Sequence, residues 1–149
     1  MISVKREKYS DAINYIDNIS SALSEEVDLG HSYAPDLDHD QFFAMEEIGS
    51  LCVVTAKKDG EIVGFHISSI QNDIFFKTKK TAYVLFYFLD KNCRGNGNGL
   101  KLFEFADNEF KKEGADRAFM SRKTHINNEK LFTKLGYNLI ESNYEKYYD

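Results

Sequence analysis

The chain has 149 residues, 42% of them hydrophobic and 29% charged, with a formal net charge of −5. That is the size of one domain, large enough to bury a core without disulfide or metal staples, and its two cysteines, Cys52 and Cys93, offer neither a metal-binding spacing nor a disulfide framework. The acidic balance argues against a nucleic-acid partner, no apolar run reaches spanning length, and residues 1–6 lack a signal-peptide pattern, so a cytoplasmic location is expected.

Ile2 and Val4 alternate with Ser3 and Lys5, the period of a short first strand. Ser10 suits the start of a helix whose apolar positions Ala12, Ile16, Ile19 and Leu23 fall on one stripe. Over residues 24–40 that pattern breaks: acids, Gly30 and the only proline, Pro35, predict a long loop. A shorter helix follows, with Phe42, Met45 and Ile48 on one face and Gly49 as its stop.

Residues 51–56 and 61–70 flank Lys57-Lys58-Asp59-Gly60, and Asp-Gly between apolar runs predicts a hairpin. Residues 82–89 form a third strand, apolar on both faces and so expected as the covered centre of the sheet. A helix over 99–112 presents Leu100, Phe103 and Phe110 to the sheet and ends at Gly114. The remainder alternates: strand 117–121, helix 127–135 stopped by Gly136, then strands 137–141 and 144–148. No linker, repeat or low-complexity tract divides residues 1–149, which read as a single domain.

Two features point to function. Residues 24–50 hold eight acids (Glu25, Glu26, Asp28, Asp36, Asp38, Asp40, Glu46, Glu47) and no lysine or arginine; the segment carries −8, which leaves +3 for the remainder of the chain. A cation would be drawn to it. The second is Arg94-Gly95-Asn96-Gly97-Asn98-Gly99, between the apolar strand and a helix. A strand emptying through glycines into a helix N-terminus gathers unpaired backbone N–H groups at the positive end of the helix dipole, a cradle for pyrophosphate. A dinucleotide-binding G-x-G-x-x-G fails, because its last glycine falls on Leu100 or Leu102; a Walker loop fails because Gly-Leu-Lys stands where Gly-Lys-Ser/Thr is needed.

What remains, Arg94-x-x-Gly97-x-Gly99, resembles the acetyl-CoA signature (Gln/Arg-x-x-Gly-x-Gly/Ala) of the GCN5-related N-acetyltransferase (GNAT) family. The stretch Lys58-Asp59-Gly60-Glu61-Ile62-Val63-Gly64 resembles the family's hairpin into its third strand. Leu131-Phe132-Thr133-Lys134-Leu135-Gly136-Tyr137 resembles its last helix, and Tyr144-Glu145-Lys146 its final strand, as in small single-domain bacterial and phage members. The resemblance implies an α/β (α+β) fold: a central, mixed, mostly antiparallel sheet of six to seven strands flanked by four helices. It implies acetyl transfer from acetyl-CoA to a primary amine, with no metal, in a monomer or homodimer without membrane contact.

By the same resemblance, the amides of Arg94, Gly95, Asn96, Gly97, Asn98 and Gly99 take the pyrophosphate. The strand ending at Phe88 and Leu89 pairs with the pantetheine, an amide near Leu89 polarises the thioester carbonyl, and Asn127 and Phe132 lie against the cofactor. The strand over 117–121 is expected to diverge from the one ending at Leu89 and leave the cofactor a gap. The family's usual proton donor to sulfur, a tyrosine, is replaced by Phe132, and the glutamate base of its histone-type branch by Tyr83. That leaves the catalytic residues unassigned, with Asp90, His125, Tyr137 and Tyr144 as candidates beside His66, Ser121 and Thr124. It also keeps open a rival: an acetyl-CoA-binding protein without turnover, working as a regulator or interaction partner. Eight acids along the expected acceptor wall suggest a cationic acceptor, such as a polyamine, an aminoglycoside-like amine or a lysine side chain; a merely solvated loop is the alternative. Cys52 reads as a buried small hydrophobe, while Cys93, beside Arg94, lacks a visible base.

Overall fold

The computed structural model describes residues 1–27 and 35–148. Five strands, β1 (Ser3–Glu7), β2 (Leu51–Lys58), β3 (Glu61–Asn72), β4 (Lys80–Leu89) and β5 (Arg117–Phe119), lie side by side in chain order. The first four pair antiparallel; β5 pairs parallel with β4, which requires a crossover, here helix α3 (Asn98–Lys112). Helices α1 (Tyr9–Val27) and α2 (His39–Glu47) precede β2, and α4 (Glu129–Lys134) follows β5.

Alternation along β2 sorts the core into two layers. Leu51 and Val53 face Tyr9, Ala12 and Ile16 of α1, together with Phe65, Ile67 and Phe88. Cys52, Val54 and Ala56 face the other way, toward Leu102, Phe103, Ala106 and Phe110, which form one buried stripe along α3. Burying each large side chain is worth about 1.5–3 kcal/mol, so these contacts fix α3 on β2, and Phe103 in its second turn packs edge-on against Tyr87 of β4, ring centres 4.8 Å apart.

The β2–β3 hairpin turns at Asp59-Gly60, where the sequence places it. Gly64 then allows β3 to close on β4: a Cβ there would meet the Phe88 carbonyl oxygen at 2.7 Å and Leu89 Cδ1 at 2.8 Å.

Four expectations are corrected. The sheet among the described residues has five strands rather than six to seven, because residues 137–148 adopt no strand. A strand needs a partner edge as well as alternation; here β5 is three residues long, and Leu139, Ile140 and Tyr144 are all exposed. The covered centre is β3, not β4, which lies next to the edge and exposes Leu85. Helix α1 continues through Ser24–Glu26 to Val27, where a loop is expected from residue 24; of that loop, residues 28–34, including Asp28 and Gly30, lie outside the described residues. Ile48 caps α2 and is exposed, so only Phe42 and Met45 of its expected face pack on the core.

Candidate acetyl-CoA site

The site begins where β4 and β5 part. Their pairing covers only Thr81–Arg117, Ala82–Ala118 and Tyr83–Phe119, and the last pair stacks its rings at 5.5 Å. Beyond Tyr83 the β5-facing edge of β4 has no strand beside it among the described residues. Just past that point the β3–β4 register steps from Ser68–Val84 to Ile67–Phe86, leaving Leu85 as a bulge. A bulge bends a strand and re-aims its side chains. Here it accompanies a groove of about 1410 Å³, bordered by Tyr87, Phe103, Asn128, Phe132, Arg94 and Gly99.

The glycine-rich turn closes one end of this groove. Asp90 N–H donates to Val63 O (2.8 Å), a single 3₁₀ turn spans Lys91–Cys93, and Gly95, Asn96 and Gly97 take φ of 91°, 53° and 77°. Three successive left-handed residues are tolerable here because two are glycines and the third is asparagine. The Asn98 amide donates to Cys93 O (2.9 Å), and Asn98 N–H to Gly95 O (3.0 Å). Backbone N–H groups of Gly95, Asn96, Gly97, Gly99 and Leu100 find no acceptor among the described residues. Added Cβ atoms at Gly95, Gly97 and Gly99 would meet nothing within 4 Å. Open space, free donors and the start of a 15-residue helix together suit a bound pyrophosphate.

The Arg94 side chain is engaged by three neighbours. Its Nε donates to Leu89 O (2.7 Å), its guanidinium lies 5.4 Å from the Phe88 ring centre, and both terminal nitrogens reach the Glu26 carboxylate at 2.8 and 3.0 Å. Arg94 holds the Glu26 carboxyl below the usual carboxylate range. Both side chains are partly exposed, which limits the pair to about 0–1 kcal/mol.

The candidate proton-transfer groups scatter. Asp90, at the end of β4, accepts from Tyr15 Oη at 2.7 Å; burial, then this carboxylate, push the Tyr15 hydroxyl up. His125 Nε2 lies 2.9 Å from Glu26 O. Tyr137 donates to Asp107 at 2.7 Å, and burial raises both groups. Tyr144 is 95% exposed. His66 sits inside the α3 layer against Phe103, its Nε2 without a partner among the described residues; burial holds it neutral, at about 3. Ser121 and Thr124 border the groove. Cys52 and Cys93 are both buried, and burial pushes the Cys52 thiol up to about 11.

Phe132 packs 6.2 Å from Phe103 on the groove wall. Asn127 accepts weakly from Glu129 N–H at the start of α4, and it is the neighbouring Asn128 whose amide reaches into the groove, to Tyr87 Oη at 3.2 Å. Sequence reasoning missed Asn128, Tyr87, Tyr15 and the pairing of Glu26. For Asn128 the signal was one residue away; for the others there was none, because each depends on a contact across more than 30 residues.

A sheet split between two parallel strands, with an anion cradle at the split, is the architecture of acetyl-CoA-dependent N-acetyltransferases. The family model described as the acetyltransferase (GNAT) family matches residues 16–137, and the chain belongs to that family. No curated protein matches the sequence. Solved structures share the fold. An aminoglycoside acetyltransferase, HMB0005, from an uncultured soil metagenomic sample superposes with a TM-score of 0.76 at 16% identity, covering 100% of this chain and 99% of its own. A glucosamine-6-phosphate N-acetyltransferase from Arabidopsis thaliana gives 0.73 at 15%, with the same coverage. A ribosomal-protein-alanine N-acetyltransferase from Brucella melitensis biovar Abortus 2308 gives 0.76 at 14%, again covering 100% and 99%.

Proposed function

We propose that this chain transfers the acetyl group of acetyl-CoA to a primary amine on a cationic small molecule or a lysine side chain. The observation that carries the reading is an edge of β4 that, among the described residues, is unpaired and runs into five N–H groups without an acceptor, in the glycine turn and the start of α3. Pantetheine would lie along that edge as an added strand, and the pyrophosphate on the amides of Gly95, Asn96, Gly97 and Gly99. The amine nitrogen attacks the thioester carbonyl carbon; the C–N bond forms, the C–S bond breaks, and the electron pair leaves on sulfur. The ammonium gives up two protons in all, and the thiolate takes up one. An amide near Leu89 would steady the oxyanion. Asp90 and His125 are the candidates for accepting a proton, and Tyr137, Tyr144, Ser121, Thr124 and Tyr87 for donating one.

The neighbours with this fold act on aminoglycosides, an amino sugar phosphate and a ribosomal-protein alanine, all amines, which supports an amine acceptor without narrowing it. Phe132 favours a second reading, binding without turnover, because a phenyl ring donates no proton. The two separate in one assay: thiol release from acetyl-CoA across a panel of polyamines, aminoglycosides and lysine peptides, beside calorimetric titration with acetyl-CoA. Transfer predicts amine-dependent thiol release. Acetyl-CoA binding with no release for any amine supports the second reading, and no binding sinks both.

A further inference from the structure

Glu26 is the node where three parts of the site meet. Its carboxylate holds both terminal nitrogens of Arg94, the first residue of the cradle, and its carbonyl accepts from His125 on the connection between β5 and α4. It also borders the groove, and of the described acids among residues 24–50 it is the only one that does. That position sets up a competition. Arg94 offers a planar fork that fits a carboxylate or a phosphate equally well, and Gly95, next along the chain, begins the row of free N–H groups. A pyrophosphate on those amides brings more negative charge than one carboxylate does, and it repels Glu26. The Glu26–Arg94 pair is partly exposed on both sides and is therefore weak enough to exchange.

We infer that the pyrophosphate of acetyl-CoA replaces Glu26 as the partner of Arg94, and that the released Glu26 carboxylate becomes the contact for the ammonium group of the acceptor. This rests on the acetyl-CoA reading above. Glu26 is thus spent on Arg94 in the free protein and becomes available on the groove wall once the cofactor is loaded. The sequence counts it as one of eight like acids; the fold singles it out.

The first arm of the test needs no acceptor. Coenzyme A is titrated calorimetrically into the wild-type protein, Glu26→Gln, Arg94→Ala and the double variant. Removing the competing carboxylate should tighten coenzyme A binding up to about fivefold in Glu26→Gln, the reach of a partly exposed ion pair. In the Arg94→Ala background the same change should tighten binding by a smaller factor, since only the direct repulsion between Glu26 and the pyrophosphate is then left to relieve; an equal gain in both backgrounds overturns the competition for Arg94. With an amine found by the thiol-release panel, Glu26→Gln should then raise the KM for amine while the KM for acetyl-CoA falls. Unchanged or weaker coenzyme A binding by Glu26→Gln overturns the exchange. An unchanged KM for amine overturns the role of the freed carboxylate. A wild-type protein that binds no coenzyme A overturns the acetyl-CoA reading itself, and this inference with it.

Discussion

Gly99 separates fold from ligand more cleanly than any other residue in the cradle. Gly97 has φ of 77°, so a side chain there strains the backbone whatever it touches, whereas Gly99 lies in the first turn of α3 without a left-handed φ. An added Cβ at Gly99 meets nothing within 4 Å, and glycine is a poor helix residue, so Gly99→Leu should hold or raise the melting temperature. If pyrophosphate occupies the space in front of Gly99, the same side chain fills it. Calorimetry should then show acetyl-CoA affinity reduced by at least about tenfold, a loss of about 1.4 kcal/mol. Equal affinity in the two proteins would show that the cradle holds something else or nothing. His66 makes the opposite point: a histidine in a β-strand looks like a candidate base, yet its ring is enclosed by Phe103, Phe110 and Tyr87.

The geometry of β4 and β5 depends on one buried carboxylate at the far end of the pair. Asp73 accepts from Phe75 N–H (2.8 Å), Phe76 N–H (3.2 Å) and Thr81 Oγ1 (2.7 Å), and it pairs with Arg117 at the start of β5. Arg117 in turn lies over the rings of Phe76 and Phe119. The Thr81 hydrogen bond first, then Arg117, pull the Asp73 carboxyl from 3.8 down to about 2. A carboxyl lowered by folding stabilises above its unfolded value and loses that contribution as pH falls toward its folded one. Asp73→Asn should therefore melt at a lower temperature than wild type near neutral pH, and the gap should narrow between about pH 4 and pH 2. A gap that stays constant across that window would mean that the charge of Asp73 contributes nothing. The same elements show what sequence can reveal. The hairpin at Asp59-Gly60, helix α3 and the glycine turn are legible because turn chemistry, period and spacing are local properties. The Leu85 bulge and the three-residue length of β5 are not, since pairing across strands decides both, and period alone made strands of residues 137–148.

Across the whole molecule, charge is as asymmetric as the sequence suggests, but the fold redistributes its work. Of the eight acids in residues 24–50, Glu26 is paired with Arg94, Asp38 accepts from Gln41 N–H at the start of α2, and Glu46 accepts from Tyr9 N–H at 2.6 Å. Asp36 and Asp40 are exposed, and neither they nor Asp38 border the groove. Whatever Asp36, Asp38 and Asp40 do for an acceptor, they do through the field around the molecule, by raising the local concentration of a cation before it reaches the groove. Replacing all three by asparagine keeps a good cap at position 38 and removes three negative charges. The KM for a cationic amine should rise severalfold at low salt, while the KM for acetyl-CoA stays the same. Because an electrostatic field of this kind decays over about 10 Å at 0.1 M salt and about 3 Å at 1 M, the difference between variant and wild type should close as salt is added. Steady-state kinetics at three ionic strengths decide it. An amine KM that does not move at low salt leaves these carboxylates as a solvated surface and transfers the choice of acceptor to the groove itself.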